Sequence, residues 1–254
     1  MIELHFHCLP GLDDGPSDWD EAVALCRAAA REGTTRIVAT PHVLRGDWVN
    51  EDVGVRDELL LRLNELLDGR PTVLPGCEYF FSTEAMALLD HGEAGPLTGL
   101  NRSRYLLVEL PGEALPASAE AVFHEFRIAG VTPVIAHPER HAIFRREPDR
   151  LERLVARGAL CQVTAGSLLG DFGERAAQAC EEFFGRGLVH FVASDAHNLD
   201  GRPPRLAAAR EHVRRRWGAE VESGLFEANP EALILSEPIP WSAAPAPAIR
   251  SRPS

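Results

Sequence analysis

Two histidines one residue apart, His5 and His7, close the first apolar run, and Asp13 and Asp14 follow in the turn "GLDDG". Polar endings of the same kind recur along the chain. His42 ends "TPH", Glu78 ends "GCE", Glu109 ends "LVE", His137 opens "HPER", and Asp195 and His197 fall in "SDAH". Imidazole nitrogens and carboxylate oxygens without thiolates suit Mn²⁺, Fe²⁺ or Zn²⁺. Taken singly, each of these residues is equally well read as a strand-end hydrogen bond or a salt bridge. Gathered in one place they would repel one another or lose their charge unless cations neutralised them. The metal reading therefore depends on a fold that brings them together.

Alternating strands and helices supply such a fold. Apolar, β-branched runs appear at "IELHF", "RIVAT", "TVLPG", "YLLVEL", "TPVIA", "ALCQVT" and "VHFVAS". Helical patterns lie between them, including "DWDEAVALCRAAAREG", "NEDVGVRDELLLRLNELLDG", "SAEAVFHEFRIAG", "PDRLERLVARG", "ERAAQACEEFFGRG" and "PRLAAAREHVRRRWG". In the first, Ser17 is expected to cap the helix and Gly33 to end it. Seven strands, most followed by a helix, predict an α/β fold whose parallel sheet closes into a barrel. An open doubly wound sheet is the alternative, but no GxGxxG or P-loop supports one. In a parallel barrel the C-terminal strand ends meet at one mouth. Six of the seven runs end there in imidazole or carboxylate, and only "QVTAG" does not. Alternation points His5 and His7 inward with Phe6 outward, and does the same for Asp195 and His197. Asp14 reaches back over the mouth from its loop.

Composition narrows the function further. A net charge of −12 argues against a nucleic-acid partner. The one dense basic cluster, "HVRRRW", is split between helix faces and reads as solvated. No apolar run is long enough to span a bilayer and no signal peptide precedes Ile2, so a cytoplasmic protein without membrane insertion is expected. The five cysteines, Cys8, Cys26, Cys77, Cys161 and Cys180, lack the spacing of a disulfide framework or zinc knuckle. Cys8 beside His7 raises a thiolate nucleophile, but phosphate chemistry of that kind needs C-x5-R, and counting from Cys8 lands on Asp14. Cys180 does have Arg186 at that spacing, across an acidic helical segment that would repel phosphate. His91, His124, His190 and His212 receive no role, and His141 is expected on a loop surface. Residues 236–254, rich in Pro, Ala and Ser, read as a disordered tail after a single domain spanning 1–235.

The motifs "HFH", "LPGLDDG", "ATPH", "LPGCE", "IAHPER", "QVTAGSLLGDFG" and "VHFVASDAH…RPPRL" together resemble the PHP (polymerase and histidinol phosphatase) superfamily. Within it they are most similar to the bacterial manganese-dependent tyrosine-protein phosphatases of capsule and exopolysaccharide synthesis. The resemblance runs in order from Ile2 to Leu235. It implies a distorted (β/α)7-type barrel with three divalent ions, Mn²⁺ by preference, at its mouth. One ion would be held by His5, His7, Glu78 and Asp195. A second would share Glu78 and add Glu109 and His137, and a third would take Asp14, His42 and His197. Arg140 matches the family's phosphate-binding arginine. The loop "VLRGDWVNEDVG" after His42 is this chain's own and bears on substrate preference.

The activity so implied is hydrolysis of a phosphate monoester by water activated on divalent cations. A phenolate leaves with little help, from a neighbouring metal or a proton on His42. Asp14, Glu78, Glu109 and Asp195 would repel a phosphate dianion, a charge that bound cations reverse. The implied substrate is the phosphotyrosine tail of a tyrosine autokinase controlling polysaccharide assembly. Alternatives are a small-molecule phosphatase acting on a substrate like histidinol phosphate, and a non-catalytic metal-dependent reader of phosphotyrosine. An amidohydrolase would typically use a carboxylated lysine, and the chain has none. An oligomer is compatible with the sequence.

Overall fold

Proline and glycine interrupt two of the strand runs, and the sheet is built around those interruptions. The computed structural model describes residues 1–82, 87, 88 and 95–241. Its strands are Ile2–Phe6 (β1), Arg36–Ala39 (β2), His42–Val43 (β3), Thr72–Leu74 (β4), Glu78–Phe80 (β5), Tyr105–Glu109 (β6), Thr132–Ala136 (β7), Leu160–Thr164 (β8) and Phe191–Ala193 (β9). Every pairing between them is parallel. One sheet has the order β1-β2-β4 and the other β3-β5-β6-β7-β8-β9. Pro41 separates β2 from β3, and Pro75 and Gly76 separate β4 from β5, because proline offers no N–H to the ladder. Gly76 is required there: a Cβ would lie 2.7 Å from Val38 Cγ1.

The nine segments thus trace the seven expected strand paths. Asp195 N–H donates to the His5 carbonyl at 2.9 Å and His7 N–H to the Ala196 carbonyl at 3.0 Å. These bonds bring the end of β9 onto β1 and complete a ring of parallel neighbours. β3 and β5 were too short to be legible as strands of their own.

The six expected helices are present at Trp19–Arg31, Val53–Leu66, Ala119–Ile128, Pro148–Ala156, Glu174–Gly185 and Leu206–Trp217. The first is capped one residue later than expected. Asp18, not Ser17, accepts from Glu21 N–H, while Ser17 instead donates its own N–H and hydroxyl to the Glu21 carboxylate. Gly33 follows the helix end with φ +93°, as its lack of a Cβ allows. Ala142–Arg146, Ala165–Leu169, Ala219–Ser223 and Asn229–Ile234 are also helical, and are too short to show a 3.6-residue period.

Three buried apolar clusters hold the strands, the largest built around Tyr79, Phe126, Phe144 and Phe183. Ile2, Leu4, Val38, Leu107, Val134, Phe191 and Leu233 form one buried cluster, drawn from five of the strand paths and the last helix. Phe6 packs on the other side, with Leu25, Cys26, Ile37 and Leu63, against the first two helices. The register shift between Glu3 and Phe6 accompanies this change of side within one strand. Burying a side chain as large as Phe6 stabilises the fold by roughly 1.5–3 kcal/mol. Beyond Leu235, Glu237 accepts from the Tyr105 hydroxyl at 2.6 Å and Trp241 exchanges hydrogen bonds with Asn229. The rest of the expected tail, residues 242–254, lies outside the described residues.

Candidate metal centre

Strand ends and the loop after β1 bring all nine imidazole and carboxylate residues singled out from the sequence into one cluster, buried except at Asp14. Glu78 is its hub. Oε2 lies 3.3 Å from His5 Nε2, 3.5 Å from His7 Nε2 and 2.9 Å from His42 Nδ1, and Oε1 lies 2.9 Å from His137 Nε2. Asp195 Oδ1 is 3.2 Å from His5 Nε2, and Asp14 Oδ1 reaches His197 at 3.1 Å and His42 at 3.4 Å. Glu109 Oε2 is 3.9 Å from His42 Nδ1. His137 and Asp195 are held at φ +34° and +54°, left-handed conformations that are uncommon for residues with a Cβ.

Four overlapping sets offer donor atoms within 4.8 Å of one another: His5, His7 and Glu78; His5, His137 and Asp195; His42, Glu78 and Glu109; and His7, Asp14, His42 and His197. The last contains the whole of the third ion's expected set. The grouping differs for the others, since Asp195 falls with His137 and Glu109 with His42. The donors fit divalent cations on a second count. His42 Nδ1, Glu78 Oε2, Glu109 Oε2 and His197 Nε2 are buried without a hydrogen bond, although neighbouring donors and acceptors converge on them. Groups that approach without bonding geometry are what a shared ion between them would explain.

Electrostatics distribute the charge unevenly. Burial opposes charge on His5 and His7, yet Asp195 and Glu78 beside the first and Asp13 beside the second raise both pKa values. Burial likewise opposes ionisation of Glu78, but the surrounding histidines hold its carboxyl well below the usual range. Burial and the Arg140 guanidinium push His137 down, and burial and His7 take His197 to about 4. Glu109 moves up through burial and the neighbouring Glu78 charge.

Several partners of this cluster lie outside the expected ligand set. Asp13 Oδ2 accepts from His7 Nδ1 at 2.7 Å and from His42 N–H at 3.0 Å. Gly15 makes room for it, since a Cβ would sit 2.9 Å from the His7 carbonyl. Gln162 Oε1, on the one strand without a ligand, lies 2.8 Å from His5 Nδ1. His141, expected on a loop surface, is instead buried, with Nε2 3.3 Å from His137 Nδ1. The helix starting at Ala142 turns it inward. Trp48 stacks on His42 with centroids 5.1 Å apart and planes 9° from parallel.

Three arginines line the mouth. Arg140 Nη1 lies 2.8 Å from Asp195 Oδ2, and Arg202 Nη2 lies 2.6 Å from the same oxygen. Arg45, in the loop after His42, pairs with Glu109 at 2.5 Å. Arg202 could have been suspected from "RPPRL", but an arginine nine residues past the last strand has no spacing that marks it.

The cysteines stay apart from this chemistry. Contact with Cys26 and burial raise the Cys8 thiol well above its ordinary pKa, which suppresses the thiolate. Cys180 is buried and raised too, and Arg186 is engaged by Asp149, Glu152 and Glu182. His190 is buried with Nδ1 accepting from Cys161 N–H, and His124 is exposed. His212 rests near Trp217, and His91 lies outside the described residues.

Comparison with known proteins places this geometry in context. The family model described as "Capsular polysaccharide synthesis, CpsB/CapC" matches residues 1–235. The chain is 38% identical over 242 residues to the tyrosine-protein phosphatase YwqE of Bacillus subtilis (strain 168), covering 94% of this chain and 93% of the relative. It is 30% identical over 245 residues to the tyrosine-protein phosphatase CpsB of Streptococcus pneumoniae, covering 93% and 99%. A solved structure from work on YwqE and CpsB, described as unique metal-dependent tyrosine phosphatases, superposes with a TM-score of 0.90 at 38% identity, covering 98% of this chain and all of that one.

Proposed function

From the premise that the chain belongs to the CpsB/CapC family, we propose that it is a metal-dependent tyrosine-protein phosphatase of capsular or exopolysaccharide synthesis. The observation that carries this reading is the meeting of nine imidazole and carboxylate side chains in four overlapping donor sets at one mouth. Three Mn²⁺ ions would be held there by His5, His7, Asp14, His42, Glu78, Glu109, His137, Asp195 and His197. Fe²⁺ and Zn²⁺ suit the same donors. Cations bound there supply Lewis acidity, which activates water at neutral pH and offsets charge on a phosphoryl group.

The chain's own residues do the rest. Asp13 and Gln162 hydrogen-bond the far nitrogens of His7 and His5, so that the other nitrogen of each ring faces the cluster. His141 does the same for His137. Arg140 and Arg202, both at Asp195, present guanidinium donors where the equatorial oxygens of a phosphoryl group must lie. Both nitrogens of His42 face carboxylates, which favours its role as a ligand over that of a free acid. A tyrosine phenolate, with a pKa of about 10, departs without a strong acid.

The partner we assign is the phosphorylated, tyrosine-bearing tail of a bacterial tyrosine kinase acting in the cytoplasm. No helix among the described residues is long and apolar enough to cross a membrane. The test is to strip the protein with chelator, restore Mn²⁺, and follow phosphate release from a phosphotyrosine peptide beside histidinol phosphate. Metal-dependent release from the peptide is expected. Preference for histidinol phosphate would overturn the substrate, and no release from either with metal bound would overturn the enzyme.

A further inference from the structure

A second cationic site lies beside the mouth, on the outer side of the segment that carries Arg140. It is a cavity of about 380 Å³ between the helices Ala142–Arg146 and Glu174–Gly185, lined by Arg145, Arg146, Arg175, Gln178 and Glu182 among others. The cavity is cationic in a protein whose net charge is −12 and in which many arginines, among them Arg186, Arg205, Arg210 and Arg216, meet carboxylates. Among the described residues the three cavity arginines meet none. Arg145 donates to the backbone carbonyls of Glu139 and Arg140, and Arg146 to that of Glu113. Arg175 is exposed on the first turn of its helix. The one acid in the lining, Glu182, is already bound by Arg186 at 3.0 Å, and Gln178 is held by Glu174 at 2.9 Å. Three arginines therefore line one cavity without a carboxylate partner, and its one lining acid is already paired with Arg186.

The site is coupled to the mouth by two short links. Arg145, which lines the cavity, grips the carbonyl of Arg140, whose side chain reaches Asp195. Phe172, 39% exposed, lies under the Arg140 guanidinium with the charge 4.9 Å from its ring centroid, three residues before Arg175. The cavity thus borders the segment that carries Arg140 to the mouth. Guanidinium forks match carboxylate and phosphate oxygens in pairs.

We propose that this cavity binds a second anionic side chain of the same peptide, a few residues from the phosphotyrosine being hydrolysed. The substrate it selects carries an anionic side chain at a fixed short spacing from the phosphotyrosine. This rests on the phosphotyrosine reading of the metal site.

The test uses the Mn²⁺-loaded full chain and three peptides that share one phosphotyrosine. Each carries tyrosine, glutamate or a second phosphotyrosine at one flanking position, scanned from one to five residues away on either side. At one spacing the anionic peptides are expected to show a KM at least ~10-fold lower than the tyrosine peptide, as one charge-assisted contact provides. Glutamate matching phosphotyrosine would make the site a general acidic pocket, and phosphotyrosine alone would make it a phosphate pocket; both support the proposal. Arg146→Glu with Arg175→Glu should abolish that preference while kcat on free phosphotyrosine holds. Equal KM values at every spacing, or a preference that survives the double substitution, would overturn the second site and leave the phosphatase intact. Failure to release phosphate from free phosphotyrosine as well would overturn both readings together.

Discussion

Asp13 and His7 are joined by a 2.7 Å hydrogen bond between Oδ2 and Nδ1, and both side chains are buried. This fixes the imidazole with its Nδ1 committed to the carboxylate and its Nε2 turned toward Glu78 and Asp195. The same carboxylate also takes the His42 backbone N–H and the Gly15 N–H. One residue outside the proposed ligand set thereby aligns two that belong to it.

Asp13→Asn should weaken metal binding ~10–100-fold, the usual cost of losing such an orienting partner. Calorimetric Mn²⁺ titration of the stripped protein checks this. Activity is expected to return as metal is raised, because the ligands themselves remain.

Arg140 and Arg202 share one Asp195 oxygen, so neither is redundant in aligning the other. Arg140→Lys keeps the charge but loses the planar fork, and should lower kcat/KM by about 10-fold or more. Arg202→Lys should behave similarly. Steady-state kinetics at saturating Mn²⁺ would show it, with an unchanged metal content as the control.

Cys8 is predicted to be chemically silent. Buried against Cys26 with its thiol pKa raised, it should resist iodoacetamide at neutral pH while the metal-loaded enzyme keeps full activity. Cys8→Ala should cost stability, about 1 kcal/mol, rather than turnover.

Burial takes His190 down to about 4 from its ordinary value near 6.5. The folded state therefore binds fewer protons than the unfolded one between those limits. Stability from this group is complete above pH ~6.5 and is lost as pH falls toward 4, by an amount on the order of 3 kcal/mol. Asparagine can keep the acceptor for Cys161 N–H without titrating, so His190→Asn should flatten the decline. Urea midpoints of chelator-stripped protein from pH 7 to 4.5 would reveal it.

The parts of this fold visible in the sequence were those governed by local repetition. Seven apolar runs and six helical patterns were visible because each spans enough residues to display a period. The convergence of imidazoles and carboxylates was visible because strand ends in a parallel barrel meet whatever the details. Arg45, Arg202, Gln162 and His141 were not, because their positions depend on how particular loops and one bulge fold back over the mouth. Asp13 and Asp14 show the limit well. Both stand in the same turn, and only the backbone path through Gly15 decides that the first supports His7 while the second faces His42 and His197.

The hydrogen bonds from β9 to β1 have a bearing on biosynthesis. His5 and His7 leave the ribosome some 190 residues before Asp195 and His197, which join them only when the ring closes. At ~5–20 residues per second that interval is roughly 10–40 s. During it the nascent chain carries an incomplete set of donors. On the proposed reading of the site, the full donor set forms only once Asp195 and His197 have been made and the ring has closed, so bound metal would mark a chain that has closed it.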